Sequence, residues 1–402
     1  MLSTLKLNLH LCVFYLGHVL FYIELLNQLR GGGELRFVGV QGQDLALIGV
    51  LGYAFFWVSG FQQILRHQWS KAYLLFLGVF TVYGALYGNE LGWIRTELRT
   101  LLWPYGGLAF FLMLKSSRRP VWHLALIMIA LTAMMHLGKL QAISSFGQLT
   151  VGQDRFYNLH LMSVCVIFLI YLGLLLNSFD GLKRHYWLTL PALLIFLYYG
   201  VIIAGTRSIM MSFVLLLGLS AYRQWFYREG VRFSRVLLFG VLTLAIIPVA
   251  LQSPAGQRLL SGDKTDKKST NERWEEVVAV SEEYAPYELL FGKGVGSTFA
   301  NAINPGNNSL HLGVFNLAAK FGLPVFCVFL FTICIGLPLV ALNRKAVFIE
   351  SGLDRFLPYC YAWALIFFIS GGWGPEYFMG LGLNLGYAAN ITLNSIKQNE
   401  AL

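Results

Sequence analysis

Charged residues are scarce in this sequence. Aspartate, glutamate, lysine and arginine make up 12% of its 402 residues, whereas a soluble domain carries about 25%. Hydrophobic residues account for 56%, and apolar stretches of about 18–20 residues, the length that crosses a bilayer, recur from end to end. This composition excludes an ordinary soluble globular protein. It predicts an all-α, polytopic transmembrane helical protein in which residues 1–402 form a single integral membrane domain.

Cysteine is also scarce, and it stands where disulfides do not form. All five cysteines lie inside apolar stretches, which indicates buried free thiols rather than a disulfide framework: Cys12, Cys165, Cys327, Cys334 and Cys360. No Cys and His residues share the spacing of zinc ligands, and the loops assigned below to the outer side contain no Asp-x-Asp. The sequence therefore predicts no metal and no cofactor.

Twelve apolar stretches are candidate membrane spans. The first is interpreted as a retained span, because no small-residue cleavage site follows it. The candidates are residues 10–27, 45–61, 72–88, 98–115, 120–137, 157–177, 187–204, 208–222, 234–251, 323–342, 356–372 and 376–394.

Lysine and arginine in the connecting loops predict the orientation of these spans. Counting the termini, one side carries sixteen positive residues. The other carries seven: Arg30, Arg36, Arg95, Arg99, Lys139, Arg155 and Arg207. Since positive loops face the cytoplasm, both termini are predicted to be cytoplasmic. The net charge of +10 is spread over short loops, so it indicates contact with anionic membrane lipids and no nucleic-acid partner.

One outer loop, from about Gln252 to Asn308, is unlike the others because it is long, polar and rich in charge of both signs. Asn271 is a predicted helix N-cap, since three glutamates follow where the helix dipole favours them. Pro286 is predicted to end that helix, and glycines 292, 294 and 296 to form a flexible loop. Long loops in compact proteins are usually functional or disordered, and these ordered signals favour function.

Three residues on the outer side could carry chemistry. Arg207 stands where one apolar stretch ends and the next begins. Placing an arginine there costs free energy unless its side chain binds an anion or reaches the membrane–water interface. Arg273 lies in the predicted loop helix, where an ordinary salt bridge is the simpler interpretation. His311 begins an amphipathic stretch; a histidine there is usually structural, but imidazole is also the commonest general base near neutral pH.

Taken together, these residues resemble the motifs of the O-antigen ligase and O-antigen polymerase superfamily (WaaL- and Wzy-like). Thr206-Arg207 ends a span, Arg273 precedes a Gly-x-Gly by about nineteen residues, and His311 precedes Gly322 by eleven. The chain departs from the family pattern in two places. Leu312 follows the histidine where Asn or Ser is usual, and Trp274 follows Arg273 directly instead of a turn later.

The resemblance implies transfer of a glycan from undecaprenyl pyrophosphate to an acceptor hydroxyl on the periplasmic face of a bacterial inner membrane. In a ligase of lipopolysaccharide biosynthesis the acceptor is lipid A-core, and in a polymerase it is a second lipid-linked glycan. Residues 252–322 would form a periplasmic loop and returning helix that carry the active site. Arg207 and Arg273 would hold the pyrophosphate and His311 would be the catalytic base. Arg155 and Lys293 are secondary candidates, for which an ordinary surface role is the simpler interpretation.

This chemistry needs an activated hydroxyl and a stabilised leaving group. A histidine can supply the first and two arginines the second, without a metal ion. A single displacement would invert the anomeric configuration. The single large outer loop before the His311 segment slightly favours a ligase over a Wzy-type polymerase. A transporter of a lipid-linked substrate is a weaker alternative because the chain shows no matching halves, and a structural assembly partner is weaker still.

Overall fold

The computed structural model describes residues 2–29, 36–37, 40–58, 60–115, 264–300 and 313–336. It also describes Leu310, residue 248 and isolated positions within 117–137 and 374–382. Side chains are described for residues 8–23, 41–58, 60–115, 273–300, 310 and 313–332, and for some of the isolated positions.

The described part of the chain is mostly helical, as predicted at that coarser level. A two-residue antiparallel ladder joins β1 (Arg36–Phe37) to β2 (Val40–Gln41). The helices are α1 (Leu2–Leu29), α2 (Gly42–Trp57), α3 (Phe61–Arg66), α4 (Gln68–Leu86), α5 (Leu91–Lys115), α6 (Lys264–Glu282), α7 (Pro286–Phe291), α8 (Phe315–Phe321) and α9 (Leu323–Leu330), followed by a π-helical stretch over Phe331–Gly336.

Helices α1, α2 and α5 pack together around aromatic side chains. Phe21 of α1 meets Trp103 of α5 edge-on with ring centroids 4.6 Å apart. About two helical turns away on each helix, Phe14 meets Phe110 in the same way at 5.5 Å. Edge-to-face pairs add stability beyond the area they bury. This packing buries most of α5 from Thr100 onward, while Glu97 near the start of α5 contacts Gly296.

Within the described residues, one helix is long and apolar enough to cross a membrane, namely α4. Residues Asn8–Ile23 form a shorter apolar stretch within α1. The candidate spans 10–27, 45–61, 72–88 and 98–115 fall on α1, α2, α4 and α5, and the span predicted from 323 begins with α9. The candidate spans between 157 and 251 and the span 356–372 lie outside the described residues, apart from residue 248. The number twelve therefore stays a prediction.

The outer-loop helix begins and ends elsewhere than predicted. Helix α6 starts at Lys264, so Asn271 lies inside it and the N-cap prediction is wrong. The turns of α6 before Asn271 consist of polar residues without a periodic apolar face, and a helix is predicted from sequence mainly by such a face. The helix ends at Glu282, and Pro286 starts α7 instead of ending α6. Proline suits the first turn of a helix, where its missing N–H would have no partner anyway.

Candidate functional site

The structure places two of the five predicted site residues. Arg273 is half-buried on α6 and already interacts with neighbouring groups. Lys293 lies between two glycines after α7, with its ammonium group 4.2 Å from the centroid of the Tyr284 ring. His311, Arg207 and Arg155 lie outside the described residues.

The glycine loop, residues 292–296, packs closely against the turn between α4 and α5. Asn89 donates side-chain hydrogen bonds to the carbonyl oxygens of Lys293 at 2.9 Å and of Val295 at 3.0 Å. The Val295 N–H donates to the Phe80 carbonyl at 3.2 Å. A Cβ on Gly84 would overlap the Val295 carbonyl oxygen. The loop and the α4–α5 turn therefore share one end of the molecule.

The same loop is hydrogen-bonded on its other side to the end of α8. The N–H of Lys293 donates to the Ala319 carbonyl at 3.0 Å, and the N–H of Gly294 donates to the Lys320 carbonyl at 2.9 Å. Tyr284 adds a hydrogen bond from its hydroxyl to Ala319 at 2.9 Å. The loop is thus held between α4–α5 and the segment that follows His311.

The flexible loop predicted for glycines 292, 294 and 296 is therefore wrong. The three glycines are buried and each has a positive φ, which L side chains rarely adopt. Every N–H from Gly292 to Gly296 has an acceptor within the protein. Unlike a phosphate-binding glycine loop, this loop leaves no backbone donor for an anion. An anionic ligand here would have to be bound by side chains.

A buried ion pair lies beside the loop. Lys320 of α8 and Glu97 of α5 approach to 2.7 Å, and both side chains are 0% exposed. Glu97 also accepts a hydrogen bond from the N–H of Gly296, and Lys320 donates to the Ser297 carbonyl at 3.1 Å. Burial lowers the pKa of Lys320, while the charge and hydrogen bond of Glu97 act in the opposite direction. The pair joins α5, the glycine loop and α8.

A second buried carboxylate fixes the start of the loop. Glu288 of α7 accepts a hydrogen bond from the Ala285 N–H at 2.7 Å and another from the Tyr87 hydroxyl. Burial alone would raise the pKa of Glu288. The hydrogen bonds from Tyr87 and Ala285 and the nearby charge of Lys293 lower that pKa below its ordinary value. Glu288 thus ties α7 to the end of α4.

Helix α6, which carries Arg273, packs on the segment that surrounds His311. The ring of Trp274 meets that of Phe315 edge-on at 6.0 Å. Val280 of α6 and Tyr284, which follows the end of α6, share a buried apolar cluster with Phe299, Leu310 and Ala319, and Phe315 packs against it. These contacts bring the residue after Arg273 and the residue before His311 into one packed unit.

Asn316 links Leu310 to Gly313, the described residues on either side of His311 in the sequence. Its side chain is 0% exposed. The side-chain oxygen accepts from the Leu310 N–H at 2.8 Å, and the side-chain nitrogen donates to the Gly313 carbonyl at 3.2 Å. Leu310 and Gly313 bracket His311 in the sequence, so their separation is fixed by one side chain on the first turn of α8.

Another charged cluster lies on a different face of α5. Asp44 of α2 forms ion pairs with Arg95 and Arg99, and Arg99 also donates to Gln41. Arg95 and Arg99 are two residues either side of Glu97, which places them on the opposite side of the helix. This network joins α2 to α5.

The residues of this region differ in how far they can be predicted from the sequence. Lys320 lies inside the motif that runs from His311 to Gly322. Glu97 was missed because its contact with Gly296 joins residues 199 positions apart. A lone acidic residue between Arg95 and Arg99 was the available hint, and alone it indicates only local charge balance.

In the described part of the chain, no group of three or more His, Cys, Asp or Glu residues could hold a metal ion. A scan against protein-family models finds no match for this chain, and no curated protein or solved structure matches it. The family resemblance, the activity and the partners therefore stay predictions from the motifs.

Proposed function

We propose that this protein is a membrane glycosyltransferase that moves a glycan from undecaprenyl pyrophosphate to an acceptor hydroxyl on the periplasmic face of a bacterial inner membrane. We favour an O-antigen ligase, whose acceptor is lipid A-core in lipopolysaccharide biosynthesis. The alternative within the same chemistry is a Wzy-type polymerase, which would use a second lipid-linked glycan as acceptor.

The packing of α6 on α8 is the observation that carries this proposal. Trp274 directly follows Arg273, and its ring meets that of Phe315, four residues after His311. Groups that act on one reacting centre must lie close together. The helix that carries Arg273 is thus in contact with the helix that begins four residues after His311 in the sequence, which supports a single site.

In the proposed reaction, His311 removes the proton of the acceptor hydroxyl as its oxygen attacks the anomeric carbon of the donor glycan. The bond from that carbon to the pyrophosphate oxygen breaks, and the electron pair leaves with undecaprenyl pyrophosphate. Arg207 and Arg273 stabilise the negative charge of the leaving group through paired hydrogen bonds. The proton ends on the imidazole, and the configuration at the anomeric carbon is inverted.

Lys293 is the described residue best placed to add positive charge to this site. Its backbone is fixed on both sides, by Ala319 and by Asn89. Its ammonium group lies over the Tyr284 ring, and none of the ion pairs among the described residues includes it. A lysine that is held by its backbone, and whose ammonium group is in none of these ion pairs, is suited to bind a phosphate group. We assign Lys293 a secondary role in binding the donor.

The test is an in vitro transfer assay with purified protein, an undecaprenyl-pyrophosphate glycan, lipid A-core and EDTA. It compares the wild type with His311→Ala and, as a control, His67→Ala at the opposite end of α4 from the glycine loop. We expect glycan on lipid A-core from the wild type and the control, and a loss of about 100- to 10,000-fold in His311→Ala, the usual contribution of general-base catalysis.

Longer chains on undecaprenyl pyrophosphate, again lost in His311→Ala, would identify the polymerase. Retained anomeric configuration in either product would contradict the single displacement. Neither product, with active donor and acceptor confirmed by another enzyme, would reject the transferase and direct attention to transport of the lipid-linked substrate.

A further inference from the structure

The ion pair between Glu97 and Lys320 has a property that stability alone does not explain. Both side chains are 0% exposed, and removing two charges from water costs so much that well-packed apolar residues often stabilise a protein equally well. Apolar contacts, however, tolerate a shift of one helix along another. A buried ion pair does not, because any shift leaves a buried charge without its partner. The pair therefore favours one register of α8 against α5.

The contacts around the pair extend this register to the glycine loop. One carboxylate oxygen of Glu97 binds Lys320, and the other accepts from the N–H of Gly296. Lys320 also donates to the carbonyl of Ser297 at 3.1 Å. Two side chains thus fix α5, the loop and α8 relative to one another.

The register also reaches Leu310 and Gly313, the described residues on either side of His311 in the sequence. Asn316 lies one helical turn before Lys320, on the same side of α8. Its side chain holds Leu310 at 2.8 Å and Gly313 at 3.2 Å. A displacement of α8 would therefore be transmitted through Asn316 to the two residues that bracket His311.

We infer that Glu97 and Lys320 are positioning residues for the transfer reaction, which fix α8 so that His311 meets the acceptor hydroxyl. This inference rests on the proposed function and deepens it. Neither residue contacts the reacting atoms. Their effect is on kcat, since a catalytic group displaced by about 1 Å can lose about 100-fold in rate.

The variant that separates positioning from stability is Glu97→Gln/Lys320→Met. It removes both charges at once and keeps a side-chain oxygen for the N–H of Gly296. No buried charge is left unpaired, so we expect thermal unfolding close to that of the wild type. The constraint between α5 and α8 is nevertheless lost. We expect kcat to fall about 100-fold while KM for the lipid-linked donor stays within about twofold, because donor binding is not altered.

Amide hydrogen exchange provides a readout that does not depend on catalysis. In the double variant, peptides covering 310–322 should exchange faster than in the wild type, while peptides from α1 and α2 stay unchanged. The matched control is Asp44→Asn/Arg99→Met, which removes an ion pair from the opposite side of the same helix α5. This control should leave both kcat and the exchange of 310–322 unchanged.

Wild-type kcat in the double variant would overturn the inference, and so would a raised KM at unchanged kcat. If the double variant is not recovered as monodisperse protein, a second variant that also removes both charges, Glu97→Gln/Lys320→Leu, is tested against the same expectations. If the wild type itself transfers no glycan, the proposed function fails. In that case hydrogen exchange still tests whether Glu97 and Lys320 fix α8. Unchanged exchange over 310–322 in the double variant would reject that claim as well.

Discussion

Gly84 allows the glycine loop to approach α4 more closely than any side chain would permit. A Cβ on Gly84 would overlap the carbonyl oxygen of Val295, which is a fixed backbone atom. We expect Gly84→Ala to lower the free energy of unfolding by about 1–3 kcal/mol, the usual cost of overpacking. The same change would raise the exchange of the loop amides by shifting residues 292–296 away from α4.

Gly78 provides the matched control on the same helix. A Cβ there would meet nothing within 4 Å, and alanine is the better helix former by about 0.8–1.0 kcal/mol. Gly78→Ala should therefore leave the unfolding temperature unchanged or raise it. Differential scanning fluorimetry of the two variants in one detergent makes the comparison. Equal unfolding temperatures would show that the loop does not pack on α4 in the way described.

The residues of this region were only partly readable from the sequence. The three glycines of the loop were identified, but their spacing indicated flexibility. Their real constraint is the surface of α4 and α8, which a local pattern does not contain. Glu288 and Tyr87 face the same limit, because they meet across 201 positions of sequence. Local chemistry can be predicted from a sequence, whereas a contact between distant segments depends on the fold.

Among the elements, α6 and α8 show how two distant motifs can meet. Helix α6 carries Arg273, and α8 follows His311 by four residues. Trp274 joins the two helices through Phe315, although the Trp274 side chain is still 57% exposed. Its direct sequence neighbour is the predicted pyrophosphate ligand. The contact with Phe315 explains a tryptophan directly after Arg273, although the family pattern places it a turn later.

We expect Trp274→Ala to slow transfer by about two- to tenfold at saturating donor. The edge-on aromatic pair contributes about 0.5–1.5 kcal/mol, and each 1.36 kcal/mol corresponds to tenfold in rate. Loss of the ring weakens the contact that keeps α6 against α8. Trp69→Ala is the control, since that ring is 80% exposed on α4 and distant from the loop. Equal transfer rates in the two variants would show that the α6–α8 contact does not matter for catalysis.

The elements also differ in how well their boundaries follow from sequence. Apolar stretches predicted α4 and the start of α9 closely, because a long apolar run has few alternatives. The polar start of α6 was missed, since Lys264 to Asn271 carry no apolar period. Pro286 was correctly identified as a boundary, but as the end of a helix instead of the start of α7. A proline marks a break without stating which side of it is helical.

At the scale of the whole molecule, the contacts of the glycine loop relate two regions that the positive-charge count places on the outer side. The turn between α4 and α5 packs on residues 292–296. The two regions are therefore predicted to lie on the same side of the membrane. Helix α4 is 19 residues long and apolar, which suits a crossing of the hydrocarbon core. Its other end, near Lys71, belongs to the side predicted to be cytoplasmic.

This arrangement predicts the labelling pattern of single cysteines in a background without the five native ones. Glu90→Cys and Tyr287→Cys stand at exposed positions near the loop, and Gln68→Cys stands at an exposed position at the opposite end of α4. In intact cells whose outer membrane is permeable to it, a membrane-impermeant maleimide should label the first two and leave the third until the inner membrane is opened. If all three react in intact cells, α4 does not span the membrane. If only Gln68→Cys reacts, the orientation is inverted, and a periplasmic transferase site at the glycine loop is ruled out because undecaprenyl-pyrophosphate glycans would then be on the opposite side.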